Sequence, residues 1–581
     1  MKGFLSLKRY FVRYRHRLII AVIVLAITNA FALVVPWILK YTIDSLREVG
    51  DPVILLKYAS LILVVSVIQG VLRYFSRNTF FRIARRIEYS LRKDFFAQLQ
   101  RLPLSYLDKT RTGDLVSRGT NDLSVVWLSF GPALFHLLNT MFVYAIALAF
   151  MMAINPGLVL FALIPYPLLA LATMLYGRSA HPRFQEVQRL LSSIASKIQE
   201  NISGIRVVKA YVQEEAEIKD FRERCRAYLE ENLRVARLSN LYHSLFGIMA
   251  GLGIVIVILL GGRAVIAGGM TLGEFIAFNG YLAMLVFPTI AFGWIMSLFQ
   301  RGAAAVGRIN EVMALRPATR EGPRDSGVGA QLPDGDIEFK DLSFSYPGQR
   351  EVLRNINLKI PQGMTLGIVG PTGCGKSTLV HLIAKLYPVE EGRLLIGGRD
   401  INTIPTKLFR RSIGFVPQES FLFSESLKEN IAYGEPGADE ERIYEAASIS
   451  RLIKDISQFP DRLDTLVGER GVTLSGGQRQ RAALARAIMM DPRIFVLDEA
   501  VASVDAETER EIKANLSSFM KGRTCIIVSH RISAVKDADW IIVMDGGRIV
   551  EQGTHDHLMS RDGLYARLFK RQTIMEELER I

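Results

Sequence analysis

Cysteine is scarce in this chain: three residues in 581, Cys225, Cys374 and Cys525, scattered along its length. That excludes a disulfide framework and a cysteine-based metal site. Histidine is sparse too, at eight. The pair in His555-Asp556-His557 has one residue between its members and no third ligand, so it reads as solvated side chains at a helix start. Acidic residues number 57 against 71 basic ones, a formal net charge of +14. Such an excess fits a nucleic acid or a membrane surface. The Lys and Arg gather beside apolar runs, which the positive-inside bias of membrane proteins explains better than a nucleic-acid partner does. What the chain has in quantity is apolar surface: half its residues are hydrophobic and its mean hydropathy is +0.22. It is too long for one domain and too apolar for a typical soluble enzyme.

The apolar residues concentrate in about six runs in the first half, centred on 18–39, 58–72, 128–154, 159–176, 245–260 and 275–299. Each approaches the ~20 residues that cross a bilayer. The first run is long, lacks a small-x-small cleavage site and precedes further runs, so it reads as a span and not a signal peptide. Pro36, Pro132 and Pro288 would break soluble helices but are tolerated in membrane ones. Charge sets the orientation: Lys8, Arg9, Arg13, Arg15 and Arg17 hold the leader inside, and Arg77, Arg82, Arg85, Arg86 and Arg92 hold the stretch after the second run inside. The mixed loop at Asp44, Arg47, Glu48 and Asp51 lies outside, as do the turns at Asn155-Pro156-Gly157 and Gly268-Gly269.

Two charged excursions on the inner side are too long for structureless connections and carry apolar residues three or four apart. They are expected to be membrane helices continued into the cytoplasm, each pair joined by a short crosswise helix. His136, Asn139, Asn29 and Asn279 lie in apolar runs, where polar residues face the bundle interior. They either line a cavity or bond between helices. Phe275, Phe278, Tyr281, Phe292 and Trp294 either line a pocket or pack towards lipid.

The second half carries nucleotide chemistry. GPTGCGKS at 370–377 follows a short β-branched apolar strand, 365–369, and opens a helix. Glycines let the backbone wrap a phosphate with inward N–H groups, and the helix N-terminus faces the same anion. Lys376 would neutralise the β- and γ-phosphates and the Ser377 hydroxyl would ligate Mg²⁺. A second apolar strand, 494–497, delivers Asp498 and Glu499 at its carboxyl end. Asp498 would hold Mg²⁺ through water and Glu499 would polarise the attacking water as general base.

Between them stands LSGGQ at 474–478, followed by Arg479, Gln480 and Arg481. Here the chain resembles the ATP-binding cassette (ABC) family, whose signature this is. The resemblance implies that Ser475, Gly477 and Gln478 meet the γ-phosphate of ATP held by an opposing subunit. It further implies ATP contacts from Gly370, Thr372, Gly373, Cys374, Gly375, Lys376, Ser377 and Thr378. It makes Tyr346 the aromatic that stacks on adenine, Gln418 the glutamine that senses Mg²⁺, and His530 the histidine that contacts the γ-phosphate and joins Glu499 in catalysis. Asp505, in the altered ASVD at 502–505, matches the loop usually written SALD, with Ser503 in shifted company. Residues 467–471 (VGERG) resemble an exporter-type segment before the signature, and 102–118 and 204–211 resemble the first and second coupling-helix segments of exporters.

The expected fold is an α-helical six-span transmembrane domain with long cytoplasmic extensions, at 1–316. A linker follows at 317–336, then an α/β P-loop ATPase domain at 337–581. The resemblance implies a half-transporter of bacterial multidrug or lipid exporter type. Its cofactors are ATP and Mg²⁺. Its partners are the lipid bilayer, an amphipathic small-molecule or lipid cargo, and a second half, as a homodimer or as a heterodimer with a paralogue. Two rival readings remain: a dedicated lipid flippase of lipid A type, and a membrane-anchored ATPase regulator without active transport.

Overall fold

The computed structural model describes residues 6–49, 52–315, 332–468, 471, 473–500 and 506–578. The chain forms two compact units. One holds the residues up to Gln100 together with Thr112–Leu315, and the other joins Arg101–Arg111 to the chain beyond Leu315.

The first unit is helical. Six helices among the described residues are long and apolar enough to cross a membrane: Arg15–Leu46, Val53–Leu99, Thr112–Ile154, Pro156–Ser203, Glu214–Ile266 and Leu272–Met313. They outrun the apolar runs of the sequence. The second, of 47 residues, is roughly 70 Å long at about 1.5 Å per residue, against a hydrocarbon core of about 30 Å. The surplus is the charged, amphipathic extension expected on the inner side. A short helix, Ile205–Ala210, joins the fourth and fifth spans.

Outward faces such as Ile19, Ile20, Ile23, Leu63 and Val64 are exposed apolar surface, as lipid contact requires. Inward, Leu33, Met151, Leu158, Tyr166, Val257, Phe278 and Tyr281 share one core. With little hydrophobic drive between helices in lipid, polar side chains add the specificity. Tyr281 Oη donates to Leu33 O at 2.8 Å, Tyr166 Oη to Leu282 O at 2.7 Å and Ser129 Oγ to Leu298 O at 2.9 Å. At the end the sequence places outside, Asp44 accepts from the Thr271 hydroxyl at 2.7 Å and from Gly273 N–H at 2.9 Å, while Lys40 pairs with Glu274 at 3.0 Å. The first and sixth spans are thereby pinned together. Pro36 and Pro288 lie inside helices, and Pro132 falls in a π-turn, Ser129–Ala133, which absorbs its missing N–H. Two further π-turns, Arg118–Asp122 and Val257–Gly261, have no proline to announce them.

The second unit is α/β. Strands β1 (Ile337–Ser345), β2 (Glu351–Ile360), β3 (Thr365–Val369), β4 (Leu394–Ile396), β5 (Arg399–Asp400), β6 (Ile413–Val416), β7 (Ile494–Asp498), β8 (Thr524–Val528), β9 (Trp540–Asp545) and β10 (Arg548–Gly553) form two sheets. An antiparallel sheet has the order β2-β1-β4-β5, and a mostly parallel one the order β10-β9-β3-β8-β7-β6. β7 is buried at every position and β3 at all but its first, so both read as unbroken apolar runs and not as alternating ones. Because β3, β8 and β7 are parallel neighbours, their carboxyl ends share one edge. That edge carries the P-loop, Asp498-Glu499 and Ser529-His530, where open α/β sheets bind ligands. A helical layer around Leu427–Ile431, Glu440–Ile449 and Gly476–Met489 shares a core with Val416 of β6, Phe495 and Leu497 of β7 and Cys525 of β8.

Candidate functional site

β3 ends at Val369 and the chain turns through Gly370, Gly373 and Gly375, at φ 151°, 80° and 102°, before the helix Lys376–Ile383. Gly370 is forced: a Cβ there would strike the Met544 carbonyl oxygen and come within 2.9 Å of Cys374 Sγ. The loop closes on its own lysine. Lys376 is buried, and its Nζ donates to Gly370 O at 2.9 Å and Pro371 O at 3.0 Å. Thr372 lies in the exposed part of the loop. The Cys374 thiol is buried, and desolvation pushes its pKa up against the pull of the Lys376 charge.

Ser377 Oγ donates to Asp498 Oδ1 at 3.2 Å. Asp498 is 1% exposed and its Oδ2 has no hydrogen-bond partner. Burial lifts its pKa to about 6, opposed by the Ser377 hydrogen bond, and the Glu499 charge adds to the lift. A hydroxyl beside an orphaned carboxylate oxygen is a hard-oxygen donor set. Among the described residues no group of three or more His, Cys, Asp or Glu could hold a metal alone. The Ser377 hydroxyl and the Asp498 carboxylate are oxygen donors of the kind Mg²⁺ takes alongside waters and phosphates.

Glu499 has φ 50°, in the left-handed region that bulky residues avoid. Both of its carboxylate oxygens are engaged: Gln418 Nε2 donates to Oε2 at 2.9 Å and His530 Nδ1 stands 3.2 Å from Oε1. Residues far apart in sequence thus converge on one carboxylate.

Tyr346 bonds through its hydroxyl to Thr378 Oγ1 at 3.1 Å and meets Phe344 and Tyr387 edge-on, each at 5.1 Å. Tyr387 was carried by no motif. Its hydroxyl donates to Asp108 at 2.6 Å, tying the segment between the second and third spans to the P-loop's neighbourhood. Burial and that hydrogen bond raise the Tyr387 pKa. No local signal could have paired two residues 279 apart.

The signature builds a capping box at the start of Gly476–Met489. Gln478 N–H donates to Ser475 Oγ at 3.2 Å, and Ser475 N–H to Gln478 Oε1 at 2.8 Å. Gln478 Nε2 also donates to Asp455 at 2.9 Å, so its side chain is engaged within the chain. Among the described residues no hydrogen bond joins Ser475, Gly477 or Gln478 to the Glu499 cluster. Ser503 and Asp505 lie outside the described residues, as do Glu469 and Arg470 of the segment before the signature and most of the linker. His555 differs from the solvated reading: its Nδ1 is 2.7 Å from the hydroxyl of buried Tyr565, while His557 is exposed.

In the spans, Asn29 Nδ2 donates to Leu25 O at 2.9 Å and Asn279 Nδ2 to Phe275 O at 3.0 Å, each within its own helix. Asn279 Oδ1 is buried without a partner. Phe278 and Tyr281 are core, whereas Phe292 and Trp294 are exposed, and Trp294 meets His136 edge-on at 5.8 Å.

A cradle for phosphate, a carboxylate held by a glutamine and a histidine, and a signature capping box, behind six spans, define an ATP-driven membrane transporter. Residues 18–289 match the model of the ABC transporter transmembrane region and 353–502 that of the ABC transporter ATPase. The chain belongs to the ABC transporter family. It is 36% identical to a probable multidrug resistance ABC transporter ATP-binding/permease protein, YheI, of Bacillus subtilis, over 98% of this chain and 96% of that protein. It is 33% identical to an ATP-dependent lipid A-core flippase of Desulfotalea psychrophila, over 95% of each chain. Among solved structures it is similar to a bacterial Atm1-family ABC exporter with ATP bound, at 27% identity and TM-score 0.79, covering 96% of this chain and 98% of that one. It is an ATP-hydrolysing half-transporter of exporter fold, a multi-pass inner-membrane protein whose ATPase domain is cytoplasmic.

Proposed function

We propose that this chain exports amphipathic or lipid-like molecules from the cytoplasm or inner leaflet, working as a homodimer that closes two cassettes on two ATP. The observation that carries the reading is Glu499, which Gln418 and His530 flank at 2.9 and 3.2 Å. In this reading Glu499 is the general base, His530 contacts the γ-phosphate, and Gln418 reports the state of the metal. Lys376 leaves its loop carbonyls for the β- and γ-phosphates, Ser377 and Asp498 hold Mg²⁺, Tyr346 stacks on adenine, and Ser475 with Gly477 serves the opposing subunit's ATP. Mg²⁺, when bound, neutralises charge on the transferred phosphoryl group. The domain limits at 1–316 and 337–581 are part of the same reading.

For the cargo, support comes from the inner half of the second span. Arg77 lies 5.2 Å over the ring of Phe81 and Arg85 3.6 Å over Trp127, with half-exposed Trp294 against His136 on neighbouring spans. Cationic and aromatic surface side by side suits a molecule with a polar head and an apolar body. Multidrug and lipid-exporting relatives agree with that class. The complete set of ATPase motifs supports two working sites in a homodimer.

Glu499→Gln keeps the shape and removes the base. ATP should still bind and turnover should fall about 10²-fold or more. Hydrolysis at the parental rate in that variant would contradict the assignment.

A further inference from the structure

The C-terminal helix Leu564–Leu578 belongs to none of the nucleotide motifs, yet it reaches the hydrolytic edge. Its first turn is fixed. Tyr565 is fully buried, and the N–H groups of Leu564 and Tyr565 donate to the Glu551 carboxylate at 2.5 and 3.1 Å. About two turns further on, Gln572 meets the segment after β8. Its Nε2 donates to the carbonyl oxygen of His530 at 2.5 Å, and its Oε1 accepts from Ile532 N–H at 2.9 Å. One side chain therefore clamps the main chain on both sides of Arg531. A second bond, Arg531 N–H to Ser529 Oγ at 2.9 Å, tightens the same turn.

The imidazole that this turn carries is poorly fixed by packing. The His530 side chain is 49% exposed, and its Nδ1 stands 3.2 Å from Glu499 Oε1. Where packing is thin, the backbone decides where a side chain points. A glutamine amide suits the task because one planar group offers a donor and an acceptor at once.

We infer that Gln572 is a positioning residue for ATP hydrolysis, holding His530 in register with Glu499 and making the docked C-terminal helix a condition of turnover. The inference rests on the reading of Glu499 and His530 as the catalytic pair. Loss of the Gln572 clamp alone would slow hydrolysis and leave nucleotide affinity intact, because its hydrogen bonds among the described residues go to the turn at His530 and Ile532 and not to the P-loop or Tyr346.

The test uses the full-length transporter in lipid, with rates from single turnovers so that slow variants are resolved. Gln572→Ala is expected to lower kcat about tenfold while KM for ATP and the affinity for a fluorescent ATP analogue stay within about twofold. Gln572→Glu keeps the bulk and the acceptor for Ile532 N–H but loses the donor to His530 O. It should also be slow, and it serves if the alanine variant folds poorly. In the His530→Ala background, Gln572→Ala should cost nothing further, because both act through one imidazole. A parental rate in both Gln572 variants, a raised KM at unchanged kcat, or losses that multiply in the double variant would overturn the inference. A parental rate in His530→Ala alone would instead remove the histidine from the catalytic pair.

Discussion

Glu499 sits at φ 50° with both carboxylate oxygens engaged, directly after an aspartate whose Oδ2 has no partner. Strain and unsatisfied buried polarity persist where surrounding structure over-determines them, and both cluster at functional sites. The P-loop is equally constrained. Gly370→Ala would drive its Cβ into Met544 O and towards Cys374 Sγ. We expect ATP binding to be lost in this variant and the thermal midpoint of the purified protein to fall, as nucleotide titration followed by thermal unfolding would register. Binding at parental affinity would show that the loop relaxes. Lys376→Ala should weaken ATP binding, in contrast to Glu499→Gln. These positions were legible in the sequence because each belongs to a short motif whose spacing is fixed by a backbone turn. Tyr387 and Gln572 were not. Each hydrogen-bonds to a partner remote in sequence, Asp108 and His530, and neither carries a local pattern.

The six spans were legible as elements because apolar length is a strong signal, and their inner extensions because charge interleaves with helical periodicity. Their full extents were not: the 58–72 run is the apolar part of Val53–Leu99. The π-turns at Arg118–Asp122 and Val257–Gly261 were also hidden, since an inserted residue leaves no compositional mark. The pinning of the first span to the sixth depends on Gly273, where a Cβ would strike Lys40 O and lie 2.7 Å from Asp44 Cγ. Gly273→Ala should destabilise the spans by about 1–3 kcal/mol, visible as a lower thermal midpoint in detergent. An unchanged midpoint would mean that this end can spread freely. The helix Ile205–Ala210 ends at Tyr211, which is 73% exposed. An exposed aromatic there suits a partner surface. Tyr211→Ala should leave ATP binding intact and reduce cargo-stimulated hydrolysis. Equal stimulation in variant and parent would take the coupling role from this helix.

At the scale of the molecule, the order of spans first and ATPase second was legible throughout, because membrane and nucleotide signals occupy separate stretches of chain. Assembly was less so. Purified alone in detergent, the chain should have the mass of a dimer and hydrolyse ATP. An inactive monomer rescued by a paralogous half would overturn the homodimer. In the proposed cycle, hydrolysis at Glu499 drives cargo across the bilayer. The most direct test is ATP-dependent uptake of a panel of amphipathic drugs and lipids into inside-out reconstituted vesicles. At least one amphiphile should accumulate against its gradient with the parental protein and none with Glu499→Gln. ATP hydrolysis without accumulation of any member of the panel, or equal uptake by both proteins, would contradict it.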